Sequence, residues 1–348
     1  LVYEIHLLSC VILKSYSFFT LKILFNLHYN LNANMVTLKD IESAHERIRP
    51  FVHRTPILTN SSINKLVGAE LFFKCENFQK AGSFKIRGAT NTVELLSDAE
   101  FNKGVATTSS GNHGAALSMA VSRRGGSTKV VMPHNTPKIK VNNVKRNGGE
   151  VIWCEPDQKF RESVLRDVVD KTGATVVHPY NDERIISGQG TCAKEMIEDV
   201  PILDCIVSPV SGGGLLGGTL IAAKNMKNSI KVFGAEPEEA DDAYQSLKSG
   251  KIIPNKTINT VCDGLRAEIG SKTFPIIQRL VDEIIPISEK DIVDSLQMIW
   301  ERMKIIVEPS CSISLALILK NKSIFKDKNV GLIMSGGNID LNNLPWKS

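Results

Sequence analysis

The sequence predicts an α/β protein in which mostly parallel strands are joined by crossover helices. Two observations support this prediction. Short β-branched runs alternate with amphipathic stretches from Thr37 onward, and several runs end in a polar or glycine-rich turn. Ligands bind beyond the carboxyl ends of such strands, so the residues directly after the strands are the functional candidates.

The predicted strands are short apolar runs, most of them followed by a helical pattern. They cover residues 70–74, 129–132, 151–153, 175–177, 205–207, 231–233 and 330–334, and one more strand leads into Ser109. Helix starts are marked by capping patterns. Thr37 opens the first helix, Pro137 opens a second that runs to the stop at 146–149, and Ser288 precedes a helix over 292–303.

Composition favours small-molecule chemistry. The chain has 348 residues, which suits about two domains, and 42% of them are hydrophobic. Its net charge of +5 comes from 42 basic and 37 acidic residues spread along the chain, which argues against nucleic-acid binding. The seven cysteines are odd in number and contain no C-x-x-C, so neither a disulfide framework nor a zinc knuckle is expected, and we predict a reducing, cytoplasmic location.

Residues 1–35 differ in composition from the rest and are predicted to lie outside the folded core. Lys14 and Lys22 interrupt the apolar runs, so none reaches the ~18–20 residues that a membrane span needs. We expect translation to start at Met35. A targeting leader and a membrane anchor are the alternatives.

The first functional candidate is Lys85, which stands between Phe84 and Ile86 in a segment poor in negative charge. Desolvation would lower the pKa of its ammonium and leave an amine able to form an imine. The alternative is a lysine that snorkels from the edge of the core.

The second candidate is the polar turn that follows the strand before Ser109. Free backbone donors at a helix start suit a carboxylate or an oxyanion, and two side chains could transfer protons. Simple helix capping is the alternative. The residues of this turn are Ser109, Ser110, Gly111, Asn112 and His113, of which Ser110 and His113 are the proton-transfer candidates.

The third candidate is the glycine-rich turn after the strand at 205–207, where backbone amides can close around a phosphate. No Gly-Lys-Ser/Thr follows, which excludes the phosphate loop of ATPases. The spacing of Gly212, Gly214 and Gly217, with Glu236 about twenty residues on, also matches a dinucleotide fingerprint, so an NAD-binding dehydrogenase or a nucleotide sensor is a rival hypothesis.

The fourth candidate is Ser335, which follows the strand at 330–334 and enters a glycine turn. Taken alone, this turn is a plain loop. Taken together, the four motifs supply an imine-forming lysine, a phosphate site, a carboxylate site and a neutral hydroxyl at a strand end. This is the set that pyridoxal phosphate needs.

With these motifs the chain resembles the fold-type-II pyridoxal-phosphate enzymes and, within them, the eukaryotic serine racemases, most of all those of the plant type. The similarity runs in order from about Thr37 to Asp340 and includes the segments 178–181 and 187–191. It implies a fold like that of the tryptophan synthase β-chain, with two open, twisted, mostly parallel sheets and helices on both faces. It also implies a large cofactor-binding domain, residues 36–94 and 185–345, and a small domain, 95–184, that closes on the substrate.

The resemblance assigns roles to the residues of the four motifs. Lys85 would hold the cofactor covalently, Asn112 would bond the ring hydroxyl, and Ser335 would face the ring nitrogen. A hydroxyl there makes the cofactor a weaker electron sink, which disfavours transamination. The substrate carboxylate would bind the turn at 109–113. The phosphate would bind the backbone amides of Gly212, Gly213, Gly214 and Leu215.

The resemblance further implies a racemase that interconverts L- and D-serine. Racemisation needs a proton donor on each face of the α-carbon, and Lys85 and Ser110 would be the two donors. Related threonine dehydratases usually carry alanine at the position of Ser110. A second activity, dehydration of serine to pyruvate and ammonia, is expected. The alternatives are a catabolic threonine/serine dehydratase with little racemase activity and a catalytically silent scaffold.

The acidic segment over residues 236–242 is a candidate metal site. Without further context, such a segment is a solvated loop. In the serine racemases, the residues matching Glu236, the carbonyl of Ala240 and Asp242 hold Mg²⁺, Ca²⁺ or Mn²⁺. The resemblance also implies a homodimer and leaves open activation by ATP. Cys262 and Cys311 depart from the family pattern and put rates in doubt more than the type of reaction.

Overall fold

The computed structural model describes residues 36–109, 111–156 and 158–346. The predicted leader, residues 1–35, and the proposed proton donor Ser110 lie outside the described residues. The chain divides after Val36, and the second unit, Thr37–Ser348, contains all of the elements below. Among the described residues, no helix has the length and apolar character required to cross a membrane.

Ten strands, numbered in chain order, form the two sheets of the described part of the chain. They are β1 (Ile57–Leu58), β2 (Glu70–Cys75), β3 (Val105–Thr108), β4 (Thr128–Pro133), β5 (Gly149–Cys154), β6 (Thr175–Val176), β7 (Cys205–Pro209), β8 (Lys231–Pro237), β9 (Glu283–Ile287) and β10 (Asn329–Met334).

The larger sheet has the strand order β1-β2-β10-β7-β8-β9, and the smaller sheet has the order β5-β4-β3-β6. All neighbours are parallel except the edge pair of β1 and β2. The carboxyl ends of parallel strands lie at one edge of a sheet. The turns after β7 and β10 therefore share an edge of the larger sheet, and the turn after β3 lies at the corresponding edge of the smaller one.

The α-helices cover both faces of the sheets, as predicted for the fold. They are α1 (Leu38–Ile48), α2 (Ser61–Val67), α3 (Lys85–Leu95), α4 (Asp98–Phe101), α5 (Asn112–Arg123), α6 (Lys138–Arg146), α7 (Gln158–Thr172), α8 (Glu183–Asp199), α9 (Gly214–Met226), α10 (Asp242–Ser249), α11 (Phe274–Leu280), α12 (Glu289–Met303), α13 (Pro309–Lys320) and α14 (Lys322–Phe325). Short 3-10 helices span Glu76–Phe78, Lys80–Gly82, Glu238–Ala240 and Asp263–Leu265.

The capping signals mark the helix ends that the sequence predicts. Thr37 and Asp40 form a reciprocal capping box before α1, and the Ser288 side chain accepts a hydrogen bond from the Asp291 amide before α12. The helix that Pro137 opens ends at Arg146. Strands β1 and β9 were not predicted. β9 contains Pro286, a residue that argues against a central strand, and it is tolerated here because β9 lies at the edge of the sheet.

Helix α8 touches two other helices through glycines. A Cβ atom added to Gly188 would lie 2.6 Å from the Cα atom of Gly88 in α3. One added to Gly218 of α9 would lie 2.5 Å from the amide nitrogen of Gly190 in α8. No side chain fits at these contacts, so the backbones of α3 and α9 both lie directly against the backbone of α8.

A buried ion cluster joins α8 to the elements around the first functional segment. Arg87 donates to Glu76 and to Glu195 at 2.8 Å, and Lys74 donates to Glu195 at the same distance. All four side chains are buried. Burial raises the pKa of Glu195, but Arg87 and Lys74 outweigh it and lower the pKa to about 2. The cluster therefore ties β2, α3 and α8 together with balanced charge.

Candidate active site

Lys85 is the first residue of α3, and its amine is buried. Its Nζ atom donates to the carbonyl of Pro179, 3.0 Å away, in the segment that follows β6. Burial lowers the pKa of the ammonium to about 8, although Glu308 opposes the change. The amine is therefore uncharged at mildly alkaline pH, as the nucleophile of imine formation must be.

Ser335 lies beside the lysine segment. The carbonyl of Ser335 accepts a hydrogen bond from the amide of Phe84 at 3.0 Å, and Ser83 forms an antiparallel bridge with Gly336. The amide of Gly337 also donates to the carbonyl of Gly82 at 3.0 Å. Backbone pairing thus holds the strand-end serine next to Lys85, and Ser335 itself is buried.

The glycine turn after β7 caps the N-terminus of α9. Gly213 is the N-cap residue and has a left-handed φ of 88°, which favours glycine. A Cβ atom on Gly212 would lie 2.3 Å from the Tyr180 ring, and one on Gly213 would lie 2.7 Å from Oγ1 of Thr273. The first amides of a helix lack intrahelical partners and attract anions. This turn therefore has the form of a phosphate site.

The glycine turn and the lysine amine meet the same short segment. Lys85 contacts the carbonyl of Pro179, and the next residue, Tyr180, packs against Gly212 and Gly214. Burial raises the pKa of Tyr180 to about 12, so its hydroxyl stays protonated. The predicted lysine, strand-end serine and glycine motifs are thus brought into one site by three loops that are distant in sequence.

The turn after β3 is shaped by Ser109. Its hydroxyl accepts hydrogen bonds from the amide of Gly111 at 3.2 Å and from that of Gly114 at 3.0 Å. His113 is buried, its Nε2 atom lies 3.3 Å from the carbonyl of Val177, and burial, followed by the charge of Lys85, lowers its pKa to about 3. A histidine that stays neutral at physiological pH is a poor proton donor, which does not fit the proton-transfer role predicted for His113.

Asn112 connects the smaller sheet to the turn after β10. Its Nδ2 donates to Oε1 of Glu308 at 2.7 Å, and its Oδ1 accepts from Nδ2 of Asn338 at 2.8 Å. Sequence reasoning did not assign a role to Glu308. Burial, followed by repulsion from Asp263, raises the pKa of this carboxyl to about 7, and its second oxygen is buried without a hydrogen-bond partner.

The predicted metal-ligand carboxylates are buried, so the solvated-loop alternative is wrong for them. Glu236 accepts hydrogen bonds from the amides of Ala243 at 2.9 Å and Tyr244 at 2.8 Å. Asp242 accepts from the amide of Ile269 at 2.6 Å. Burial raises the pKa of Glu236 well above its usual range and that of Asp242 to about 7. Within the described residues, no group of three or more His, Cys, Asp or Glu side chains is arranged to hold a metal.

These features define a class of protein: an α/β enzyme with a desolvated lysine amine next to a glycine-bounded anion site at a helix N-terminus. The chain belongs to the family of pyridoxal-phosphate dependent enzymes, whose family model matches residues 48–336. The residues present fit that cofactor, since the amine suits its aldehyde and the glycine turn suits its phosphate. The dinucleotide hypothesis does not fit, because both carboxylate oxygens of Glu236 accept backbone amides instead of facing a ribose.

In comparisons with known proteins, the chain is similar to serine racemases and to a dehydratase. It is 49% identical to the serine racemase of Arabidopsis thaliana over 313 residues, which are 88% of this chain and 94% of the relative. It is also 49% identical to the β-hydroxyaspartate dehydratase of Paracoccus denitrificans (strain Pd 1222) over 310 residues, 89% of this chain and 98% of the relative. The structure of maize serine racemase matches with a TM-score of 0.87 at 46% identity, covering 90% of this chain and 96% of that one.

Proposed function

We propose that the protein is a pyridoxal-phosphate dependent serine racemase that interconverts L- and D-serine and also dehydrates serine to pyruvate and ammonia. The observation that carries this proposal is the position of Lys85, whose desolvated amine contacts the segment that packs against the glycine turn. The similarity to serine racemases of plants supports the choice of substrate.

Different residues of this chain would bind the cofactor and the substrate. The amides of Gly212, Gly213, Gly214 and Leu215 would hold the phosphate, Ser335 would lie at the ring nitrogen, and Asn112 would hold the ring hydroxyl. The cofactor, when bound, supplies the electron sink that makes the α-proton of an amino acid removable. Amides of the 109–113 turn would hold the substrate carboxylate at the start of α5, where the helix dipole favours an anion.

Proton transfer would depend on two side chains of this chain. Lys85 has a pKa of about 8, so it can both take up and release a proton near neutral pH. Ser110 is the donor that we propose for the opposite face of the α-carbon, on the basis of the sequence pattern Ser-Ser-Gly-Asn-His. Racemisation needs both donors, whereas loss of the β-hydroxyl after proton removal needs only one.

The substitution Ser110→Ala tests this assignment. We expect D-serine formation from L-serine to be abolished while pyruvate formation survives, both followed in the same holoenzyme sample. Ser109→Ala is the matched control, because Ser109 shapes the same turn through its bonds to Gly111 and Gly114. It should lower both activities together. Equal loss of both activities in Ser110→Ala would refute the two-face assignment.

A dehydratase with little racemase activity is the second candidate, favoured by the similarity to the dehydratase of Paracoccus denitrificans. Wild-type protein that forms pyruvate from serine but no D-serine would establish this candidate.

Four further proposals concern a bound cation, the oligomeric state, the location in the cell and a nucleotide activator. A divalent cation, Mg²⁺ or a relative, would bind Glu236, the carbonyl of Ala240 and Asp242. Its support is that both carboxylates are buried and that the charge of Asp242 raises the pKa of Glu236, so a cation there would offset two negative charges. The similarity to serine racemases is the basis for a homodimer and for activation by ATP. The widely spaced cysteines without C-x-x-C are the basis for a cytoplasmic location.

A further inference from the structure

One ion pair joins the two sheet regions beside the turn that follows β3. Lys140 lies in α6, directly after β4 of the smaller sheet, and Asp263 lies in a 3-10 turn that precedes α11 of the larger region. The Lys140 ammonium donates to Oδ2 of Asp263. The lysine side chain is 11% exposed and the aspartate side chain 35% exposed, so Lys140 is the more deeply placed partner.

The Lys140 ammonium also lies beside the proposed carboxylate turn. A Cβ atom added to Gly111 would lie 3.4 Å from Nζ of Lys140 and 3.6 Å from its Cδ atom. Gly111 is the middle residue of the turn and the N-cap of α5. The lysine therefore brings a full positive charge to a helix start whose amides already favour an anion.

The Asp263 contact leaves the ammonium with capacity for a second anionic partner. An ammonium has three N–H donors, and the bond to Asp263 uses one of them. Attraction between opposite charges is stronger at a partly buried site than in bulk water. A carboxylate bound at the turn would lie beside the positive charge, while Asp263 would keep the lysine oriented but repel the incoming anion.

We propose that Lys140 is a substrate-binding residue that contacts the α-carboxylate of the amino acid, with Asp263 as its counterion. This inference rests on the proposed function and extends it by a residue from the opposite side of the turn. A purely structural pairing would make a different prediction, because removing either partner would then destroy the same contact with the same result.

The test is an equilibrium titration of the holoenzyme with glycine, an amino acid that has an α-carboxylate but no β-substituent to eliminate. The readout is the change of the visible absorption of the bound cofactor. Lys140→Gln should raise the Kd for glycine about tenfold and the KM for L-serine by a similar factor, with kcat changed far less. Lys140→Arg should recover most of the affinity because it restores the charge.

The counterion variant separates binding from scaffolding. Asp263→Asn should lower the Kd for glycine, since a like charge is removed. An increase matching that of Lys140→Gln would overturn the proposal, as would an unchanged Kd in Lys140→Gln. Lys138→Gln, an exposed lysine of the same helix, is the matched control and should leave the Kd unchanged. Wild-type holoenzyme that binds glycine but turns over no serine would refute the proposed function alone.

Discussion

Lys85 is a residue whose surroundings set its chemistry, and its lowered pKa leads to a test in the cofactor-free protein. The free amine attacks an aldehyde, and its pKa is about 8 instead of the ordinary 10.5. The rate of covalent attachment of added pyridoxal phosphate, followed by visible absorbance, should therefore rise with pH and level off above about pH 8.

A rate that still rises steeply between pH 9 and pH 10 would contradict this assignment. Lys85→Ala should show no attachment. Lys80→Ala, which removes a neighbouring lysine of the same segment, should attach the cofactor as the wild type does.

Glu308 leads to a prediction about stability. Its folded-state pKa is raised to about 7 from the ordinary 4.5, so the folded protein holds this proton more tightly than the unfolded chain does. The resulting contribution to stability is fully present below pH 4.5 and is lost as the pH rises through about 7. In urea unfolding of the cofactor-free protein, Glu308→Gln should lose less stability between pH 5 and pH 8 than the wild type.

The control for this experiment is Glu301→Gln, an exposed glutamate of α12, which should keep the pH dependence of the wild type. Parallel curves for the wild type and Glu308→Gln would show that another group carries the dependence.

Residues that follow strands could be predicted from the sequence, and residues that reach the site from elsewhere could not. Lys85, Ser335 and the glycines carry local signals, such as an apolar neighbour, a strand end or a turn. Glu308 meets Asn112 across 196 residues of sequence, and Lys140 meets Asp263 across 123. No local pattern encodes such contacts, because the fold alone decides which helix ends face one another.

At the scale of elements, the buried ion cluster predicts a large effect for a single substitution. Arg87 links α3 to Glu76 and to Glu195 of α8. Arg87→Leu would leave two buried carboxylates without their main partner, and such a change costs about 3–5 kcal/mol. Urea unfolding should show that loss in the free energy of unfolding.

The matched control is Arg49→Leu, since Arg49 lies exposed near the end of α1 and, among the described residues, forms an ion pair with exposed Glu46. Its free energy of unfolding should change by no more than about 0.5 kcal/mol. A similarly small change in Arg87→Leu would mean that the ion pairs of the cluster stabilise the fold no more than an apolar side chain of similar size does.

Most elements were predictable because their signals are local. Capping pairs such as Thr37 with Asp40 define helix starts within four residues, and the apolar runs of the central strands are buried on both faces. The two missed strands lie at the edges of the larger sheet. β1 has two residues and β9 contains proline, so both depend on the neighbouring strand rather than on their own sequence.

At the scale of the whole molecule, the carboxylates Glu236 and Asp242 predict a dependence on divalent cations. A cation that binds only the folded protein raises its stability by mass action. Removing bound cations with a chelator should lower Tm by several degrees, and added Mg²⁺ should restore it. Asp242→Asn should remove this response.

Asp241→Asn makes the same chemical change one residue away, outside the proposed ligand set, and should respond to the chelator as the wild type does. A wild-type Tm that ignores both chelator and Mg²⁺ would rule out the cation proposal.

The α/β class and the two mostly parallel sheets were predicted correctly, and the division into a large and a small domain stays a prediction. The topology is consistent with it, because the smaller sheet is built entirely from residues 105–176. Relative movement of the two parts is a property of the molecule in solution that neither strand order nor residue pattern specifies.

The glycine contacts of α8 make this helix a fixed spacer between two others. It lies between α3, which starts with the reactive amine, and α9, which starts at the anion turn. On both sides the helices meet backbone to backbone, with no side chain between them. These contacts fix the distance between the amine and the anion turn. A single methyl group added at position 188 or 218 would change that distance, so that it no longer matched the length of the coenzyme.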